Sequence, residues 1–261
     1  MAGILEGRTA VVTGAASGLG LAMATAFAAE GAAVCVADLN EAGGQSVVEG
    51  LRREGRTAAF TRVDVTDPGS ARAMIETAVK AFGRLDVLVN NAGLQHISPV
   101  VEFPEERWNY LLAVLLTGTF LCTKYALPHM IRGGWGRVIN IASAHGLVAS
   151  PFKAAYVAAK HGVVGFTKVA AWEAAAHGIT VNAICPGYVR TPLVERQIAD
   201  QARVHGIPES DVVGRIMLEP QAVKRLLEPG EIAALAVYLC SEPASAVTGA
   251  AIPIDGGWTA R

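Results

Sequence analysis

Ser143, Tyr156 and Lys160 are the residues of this chain whose types and spacing can move a proton. On a helix, positions 156 and 160 stand one turn apart, so the phenol and the ammonium share a face. A free tyrosine has a pKa near ~10, too high for a base at neutral pH. An ammonium beside it favours the phenolate, as does a nearby cationic ring. Tyr156 can then exchange a proton with an alcohol or ketone while Ser143 hydrogen-bonds the same oxygen. Tyr-x-x-x-Lys is common in buried helices with no catalytic role, so the surrounding elements must decide.

Those elements are legible. Val138 to Ile141 is an apolar, β-branched run that reads as a buried parallel strand, ending at Ala142 and delivering Ser143 and His145 into a loop. Ser150-Pro151 predicts the start of the helix that carries Tyr156, with a hydroxyl cap and a proline in the first turn. Strand-like and helix-like segments alternate along the rest of the chain: 9–13, 18–30, 33–38, 41–53, 57–63, 69–82, 87–90, 108–130, then 180–185, 231–240 and 250–254. The alternation predicts an α/β protein with one doubly wound parallel sheet and helices on both faces. There is no internal repeat or linker, so residues 1–261 read as one domain.

The first strand runs into Thr13-Gly14-Ala15-Ala16-Ser17-Gly18-Leu19-Gly20. Glycines there permit a tight turn and close approach of backbone N–H groups to a pyrophosphate at a helix N-terminus. Asp38, at the end of the second strand, can accept hydrogen bonds from the adenosine ribose hydroxyls and repels a 2′-phosphate. Neither Ala15–Ser17 nor Leu39-Asn40 offers a cation for such a phosphate, so NAD is expected rather than NADP.

Composition narrows the class. Of 261 residues, 52% are hydrophobic, enough for one large core. A net charge of −1 leaves no electrostatic footprint for nucleic acid or an anionic membrane. Cys35, Cys122, Cys185 and Cys240 form no Cys-x-x-Cys pair and lie in apolar settings, as expected of free thiols in a reducing cytoplasm. No basic-then-apolar leader precedes the first strand, and the apolar run 108–123 is shorter than the ~20 residues a membrane span needs, so a cytoplasmic protein is expected. No His/Asp/Glu group has metal-ligand spacing.

The glycine pattern, Asn90-Asn91-Ala92-Gly93, Ser143, Tyr156-x-x-x-Lys160 and Pro186-Gly187, in that order, resemble the short-chain dehydrogenase/reductase family over nearly the whole chain. The resemblance implies a seven-stranded Rossmann-type sheet and hydride transfer to or from a nicotinamide. It implies that Lys160 holds the nicotinamide ribose and lowers the Tyr156 pKa. Asp64 and Val65 should flank the adenine, and Asn91, Ala92 and Gly93 should lie along the cofactor. The loop of Pro186, Gly187, Val189 and Thr191 should contact its nicotinamide end. One position departs from the pattern: Leu115 stands where the family usually has an asparagine that holds a proton-relay water, so the proton route of this chain is expected to differ.

Within the family, the segments around Gln95, Ser143–Leu147, Ser150–Lys153, Pro192–Gln197 and Asp255–Trp258 resemble the branch that oxidises D-3-hydroxybutyrate to acetoacetate. That likeness implies that Gln95, His145, Lys153 and Gln197 bind a substrate carboxylate, with Tyr188 and Trp258 shaping the pocket. Tyr188 replaces a tryptophan of those relatives. An imidazole, two amides and a cation suit a small hydroxy or keto acid. Residues 193–225 interrupt the strand–helix rhythm and predict a short helical lid. The family also implies a homotetramer built on the helices spanning 108–130 and 154–176. The rival readings are a 3-oxoacyl thioester reductase, which needs no carboxylate cage, and a non-catalytic NAD sensor, which needs neither Tyr156 nor Lys160.

Overall fold

The computed structural model describes residues 3–260. Seven strands form one sheet: β1 (Thr9–Thr13), β2 (Ala33–Asp38), β3 (Ala58–Arg62), β4 (Val87–Asn90), β5 (Gly136–Ile141), β6 (Ile179–Pro186) and β7 (Ala251–Ile254). Every pairing is parallel and the spatial order is 3-2-1-4-5-6-7. Parallel strands covered on both faces must be apolar throughout, and β1, β4, β5 and β6 are buried at every residue.

The helices are α1 (Gly18–Ala29), α2 (Glu41–Arg53), α3 (Pro68–Phe82), α4 (Glu105–Leu112), α5 (Gly118–Gly133) and α6 (Ala154–Ala174), then α7 (Pro192–Glu195), α8 (Ile198–His205), α9 (Glu209–Val212) and α10 (Pro229–Cys240). One core packs α1, α2 and α10 against one face of the sheet, with Phe27, Met23 and Ile232 fully enclosed. The other face takes α3, α5 and α6 through Met74, Ile75, Met130 and Ala170.

Strand order reverses between β1 and β4, and in such sheets a crevice opens there at the carboxyl ends of the strands. A buried polar rung braces that edge. Asn90 and Asn140 are cross-strand partners; Asn90 Nδ2 donates to Asn140 Oδ1 (2.8 Å) and Thr123 Oγ1 (2.9 Å), and Asn140 Nδ2 to Thr167 Oγ1 (2.9 Å). The rung ties α5 and α6 to the strand ends that carry the site.

The structure corrects two sequence expectations. The Tyr156 helix begins at Ala154, after Lys153 and not at Ser150, because Phe152 takes a left-handed backbone (φ 65°) that no helix can include. The apolar run 108–123 is not a short isolated segment: α4 and α5 join through a π-helical turn, Ala113–Thr117, into a continuous 29-residue stretch, Glu105–Gly133. By length and composition that stretch could cross a membrane, but here it packs on α3, α6 and the sheet.

Between β6 and α10 the chain leaves the sheet for α7, α8, α9 and a second π turn, Val213–Met217. This excursion builds its own small core, Ala202, Val212 and Met217, on Tyr188 and Trp258.

Candidate active site

The β1–α1 loop is shaped for backbone approach. Gly14 and Gly18 have φ of 65° and 56°, and a Cβ on Gly20 would lie 2.1 Å from the Gly14 carbonyl oxygen. Asn91 staples this loop to β4: its Nδ2 donates to the carbonyls of Thr13 (2.9 Å) and Gly14 (3.1 Å). Thr13 Oγ1 accepts from the Asn91 and Ala92 amides at 3.0 and 3.1 Å. Thr13 and Gly20 therefore build the loop without lining the groove.

The groove itself, about 300 Å³, runs past Gly14, Ser17, Gly18 and Leu19 to Asp38, Leu39, Asp64 and Val65 on one side, and to Asn91, Ala92, Gly93 and Thr191 on the other. Asp38 sits at its far end, one carboxylate oxygen accepting from the Ala16 amide and the other from the Asn40 amide, each at 2.9 Å. Each oxygen has a second lone pair for a ribose hydroxyl. A glycine-lined helix N-terminus facing a carboxylate at the end of β2 fits a nicotinamide dinucleotide.

The groove continues into a smaller cavity of about 90 Å³ lined by Ser143, Tyr156, Lys160, Pro186, Gly187, Val189 and Thr191. The expected trio is thus brought to one place. Lys160 Nζ donates to the Ile141 carbonyl (2.6 Å) and lies 5.5 Å from the centre of the Tyr156 ring. Burial dominates the electrostatics here. It pushes the Tyr156 phenol up to about 12, against a hydrogen-bonding contact with Ser143 that lowers it. It also brings the Lys160 ammonium down to about 8. Lys160 is hydrogen-bonded to the Ile141 carbonyl and not to the Tyr156 hydroxyl.

His145 joins the trio to the second group of expected residues. Its ring meets Tyr156, Tyr188 and Trp258 edge-on, with centroids 5.9, 6.4 and 4.8 Å away. Tyr188 and Trp258 stack at 5.6 Å. Lys153 is 2% exposed and donates to the Tyr188 hydroxyl at 2.6 Å. No carboxylate pairs with it among the described residues, and burial brings its ammonium down to about 7. Burial, then the charges of Lys153 and His161, hold His145 well below its usual range, so its ring is neutral at neutral pH.

Two expected ligands are not brought in. Gln95 Oε1 accepts from the next backbone amide, His96 (2.8 Å), and Gln197 Nε2 donates to Leu193 O (2.9 Å). Both amides satisfy neighbouring backbone and line neither cavity. Conversely, sequence reasoning missed Val63, Leu94, Tyr110 and Val114 in the groove, while Leu115, expected at the proton route, and Leu193 and Val194, expected in the lid, line the catalytic cavity. The Thr191-Pro192 pair, a hydroxyl N-cap followed by an N1 proline, was the local signal that α7 would return over the cofactor loop.

Residues 14–259 match a family model described as enoyl-(acyl carrier protein) reductase, a branch of the short-chain dehydrogenases. The chain belongs to the short-chain dehydrogenase/reductase family. Among curated relatives, the D-beta-hydroxybutyrate dehydrogenase of Rhizobium meliloti is 46% identical, covering 97% of this chain and 99% of its own length. The enzyme of the same name from Cupriavidus necator is also 46% identical, over 99% and 100%. The cis-4-hydroxycyclohexanecarboxylate dehydrogenase of Sinomonas cyclohexanicum is 42% identical over 97% of both chains. This short-chain dehydrogenase is accordingly an oxidoreductase acting on CH–OH with a nicotinamide cofactor.

Proposed function

We propose that this protein catalyses the reversible, NAD-dependent oxidation of D-3-hydroxybutyrate to acetoacetate. The observation that carries the reading is Lys153: a buried ammonium without a carboxylate partner, joined through Tyr188 and His145 to Tyr156, the group that would take the proton as phenolate. Lys153 lines a neighbouring cavity of about 250 Å³ with Tyr188 and Trp258, and a buried cation without an anionic partner there calls for an anionic ligand. The names of the 46% identical relatives point the same way.

In this reading Ser143 and Tyr156 hydrogen-bond the substrate oxygen, and Tyr156 takes the hydroxyl proton on oxidation. Held by the residues of the groove, a nicotinamide cofactor would supply the hydride acceptor, and the positive charge of its oxidised form would favour the Tyr156 phenolate against burial. Lys160 gives up its Ile141 contact to hold a ribose hydroxyl. Lys153 holds the carboxylate, while Tyr188 and Trp258 wall the acyl end. Gln95 and Gln197 join when they exchange backbone partners for the ligand. Gln197 follows α7, whose Leu193 and Val194 line the catalytic cavity, so residues 193–225 act as the lid that brings it.

Asp38 favours NAD. Exposed Phe120, Val169 and Trp172 on α5 and α6, the last 87% exposed, support a homotetramer assembled on those helices. Four buried, unpaired cysteines fit a reducing cytoplasm.

The test is NAD reduction with D-3-hydroxybutyrate beside its L enantiomer, a cyclic hydroxy acid and a hydroxyacyl thioester. A preference for the D acid supports the reading; a preference for the thioester or a neutral alcohol overturns it.

A further inference from the structure

The lysine side of the catalytic cavity is walled by apolar side chains. Lys160 ends on the Ile141 carbonyl. Leu111 and Leu115 pack against Ala155 and Ala159 of its helix, all four buried. Leu115 lines the cavity from the π turn, and its carbonyl already accepts the Thr119 hydroxyl at 2.8 Å. Beyond Lys160, none of these four side chains carries a group that could pass a proton.

The serine side is different. Ser143, in contact with Tyr156, lies 3.4 Å from His145 Nδ1. The other ring nitrogen, Nε2, lies 3.0 Å from the Ser150 hydroxyl. Ser150 in turn lines a polar cavity of about 250 Å³ outside the catalytic one, with Lys153, Tyr188, Gln201, Arg215 and Trp258 among its walls, open to solvent. The line of groups Tyr156, Ser143, His145, Ser150 thus joins the enclosed phenol to water. We infer that Ser150 and His145 form the proton relay of this enzyme, carrying the Tyr156 proton through Ser143 to the outer cavity in place of a route past Lys160.

The inference rests on Tyr156 being the acid/base. On oxidation the carbinol C–H bond breaks with its electron pair, which leaves as hydride to the cofactor, and the O–H proton goes to Tyr156. Tyr156 returns to phenolate by donating to Ser143 Oγ, whose own proton moves to His145 Nδ1. His145 Nε2 releases its proton to Ser150, and Ser150 passes one to cavity water. One proton leaves for each hydride transferred. A neutral imidazole suits the task, since it accepts at one nitrogen and donates at the other. The 3.4 Å step is long for a hydrogen bond, as catalytic contacts often are before the reacting complex forms.

Ser150 sits in a loop before the helix and is only half-buried, so it can be changed with little effect on the fold. Thr and Val have nearly the same shape and differ in the hydroxyl, and Val also excludes a substituting water. The experiment is single-turnover oxidation with any alcohol the enzyme accepts, following reduced cofactor by absorbance and the released proton with an indicator dye. In the native enzyme and in Ser150→Thr the proton should appear in step with reduced cofactor. In Ser150→Val it should lag by about tenfold or more, and added imidazole buffer should shorten the lag. Proton release in step with reduced cofactor in Ser150→Val, with Tyr156→Phe inactive, would overturn the relay alone. Undiminished turnover in Tyr156→Phe would overturn the acid/base reading and the relay with it.

Discussion

The Lys153 ammonium lies 2.6 Å from the Tyr188 hydroxyl and 4.8 Å from the centre of its ring, and this neutral phenol is its one hydrogen-bond partner among the described residues. Burial brings the ammonium down to about 7, while the phenol is pushed up by burial and stays protonated. An anion arriving at the site therefore meets a group that is only partly charged at neutral pH.

The pH dependence follows with a definite sign. Below about pH 7 Lys153 is already an ammonium and the KM for a hydroxy acid should be flat. Above it, binding the carboxylate must also take up a proton, so KM should rise, approaching about tenfold per pH unit. His145 remains neutral through this window and adds no slope. The KM of the neutral methyl ester, measured in parallel, should not follow. Tyr188→Phe removes the lone acceptor and should move the rise to lower pH. A flat KM for the acid between about pH 6 and pH 9 would contradict the account.

Tyr156→Phe should lower turnover by at least about a hundredfold while NAD still binds, as measured by cofactor fluorescence. Lys160→Ala should damage both. Near-native turnover in Tyr156→Phe would remove the phenol from the mechanism.

Cofactor choice should follow the carboxylate at the end of β2. Asp38→Ala combined with Leu39→Arg should raise the NADP-to-NAD ratio of kcat/KM by about tenfold or more, through lost repulsion and a gained phosphate partner. An unchanged ratio would show that Asp38 does not discriminate.

The helix pair α5 and α6 exposes Phe120, Val169 and Trp172 together. Placing a charge there, as in Trp172→Glu, should shift the protein to smaller species on sedimentation without unfolding it. A sedimentation profile unchanged from the native protein would place the subunit contacts elsewhere.

Much of the site was readable before the structure because strand ends carry it. β1, β4, β5 and β6 are buried, mostly apolar strands, and Gly14, Asn91, Ser143 and Gly187 stand just past their ends. The glycine spacing is a local pattern, and the Tyr156–Lys160 interval takes its meaning from the strand and loop that precede it. The start of α6 was not readable, because the positive φ of Phe152 is imposed by surroundings: its carbonyl accepts the Ser98 amide (2.9 Å) and its ring meets His205. Gln95 and Gln197 look like ligands in sequence, but each amide has a backbone partner within four residues that costs little to reach. The outer cavity behind Lys153 is formed only when α8 and the second π turn fold back on Ser150, a contact between distant segments with no local signature.

The central claim is that Lys153 anchors a carboxylate and so places a 3-hydroxyl against Tyr156. Removing the ammonium by Lys153→Ala should cost on the order of 2–5 kcal/mol with an acid substrate, part of it in turnover because a displaced carbinol carbon misses the hydride geometry. The direct measurement is the ratio of kcat/KM for D-3-hydroxybutyrate to that for its methyl ester, in the native enzyme and in Lys153→Ala. The account predicts a native preference for the acid that collapses toward parity in the variant, with NAD affinity little changed. An equal ratio in both enzymes would contradict it and place the carboxylate, if the substrate has one, away from Lys153.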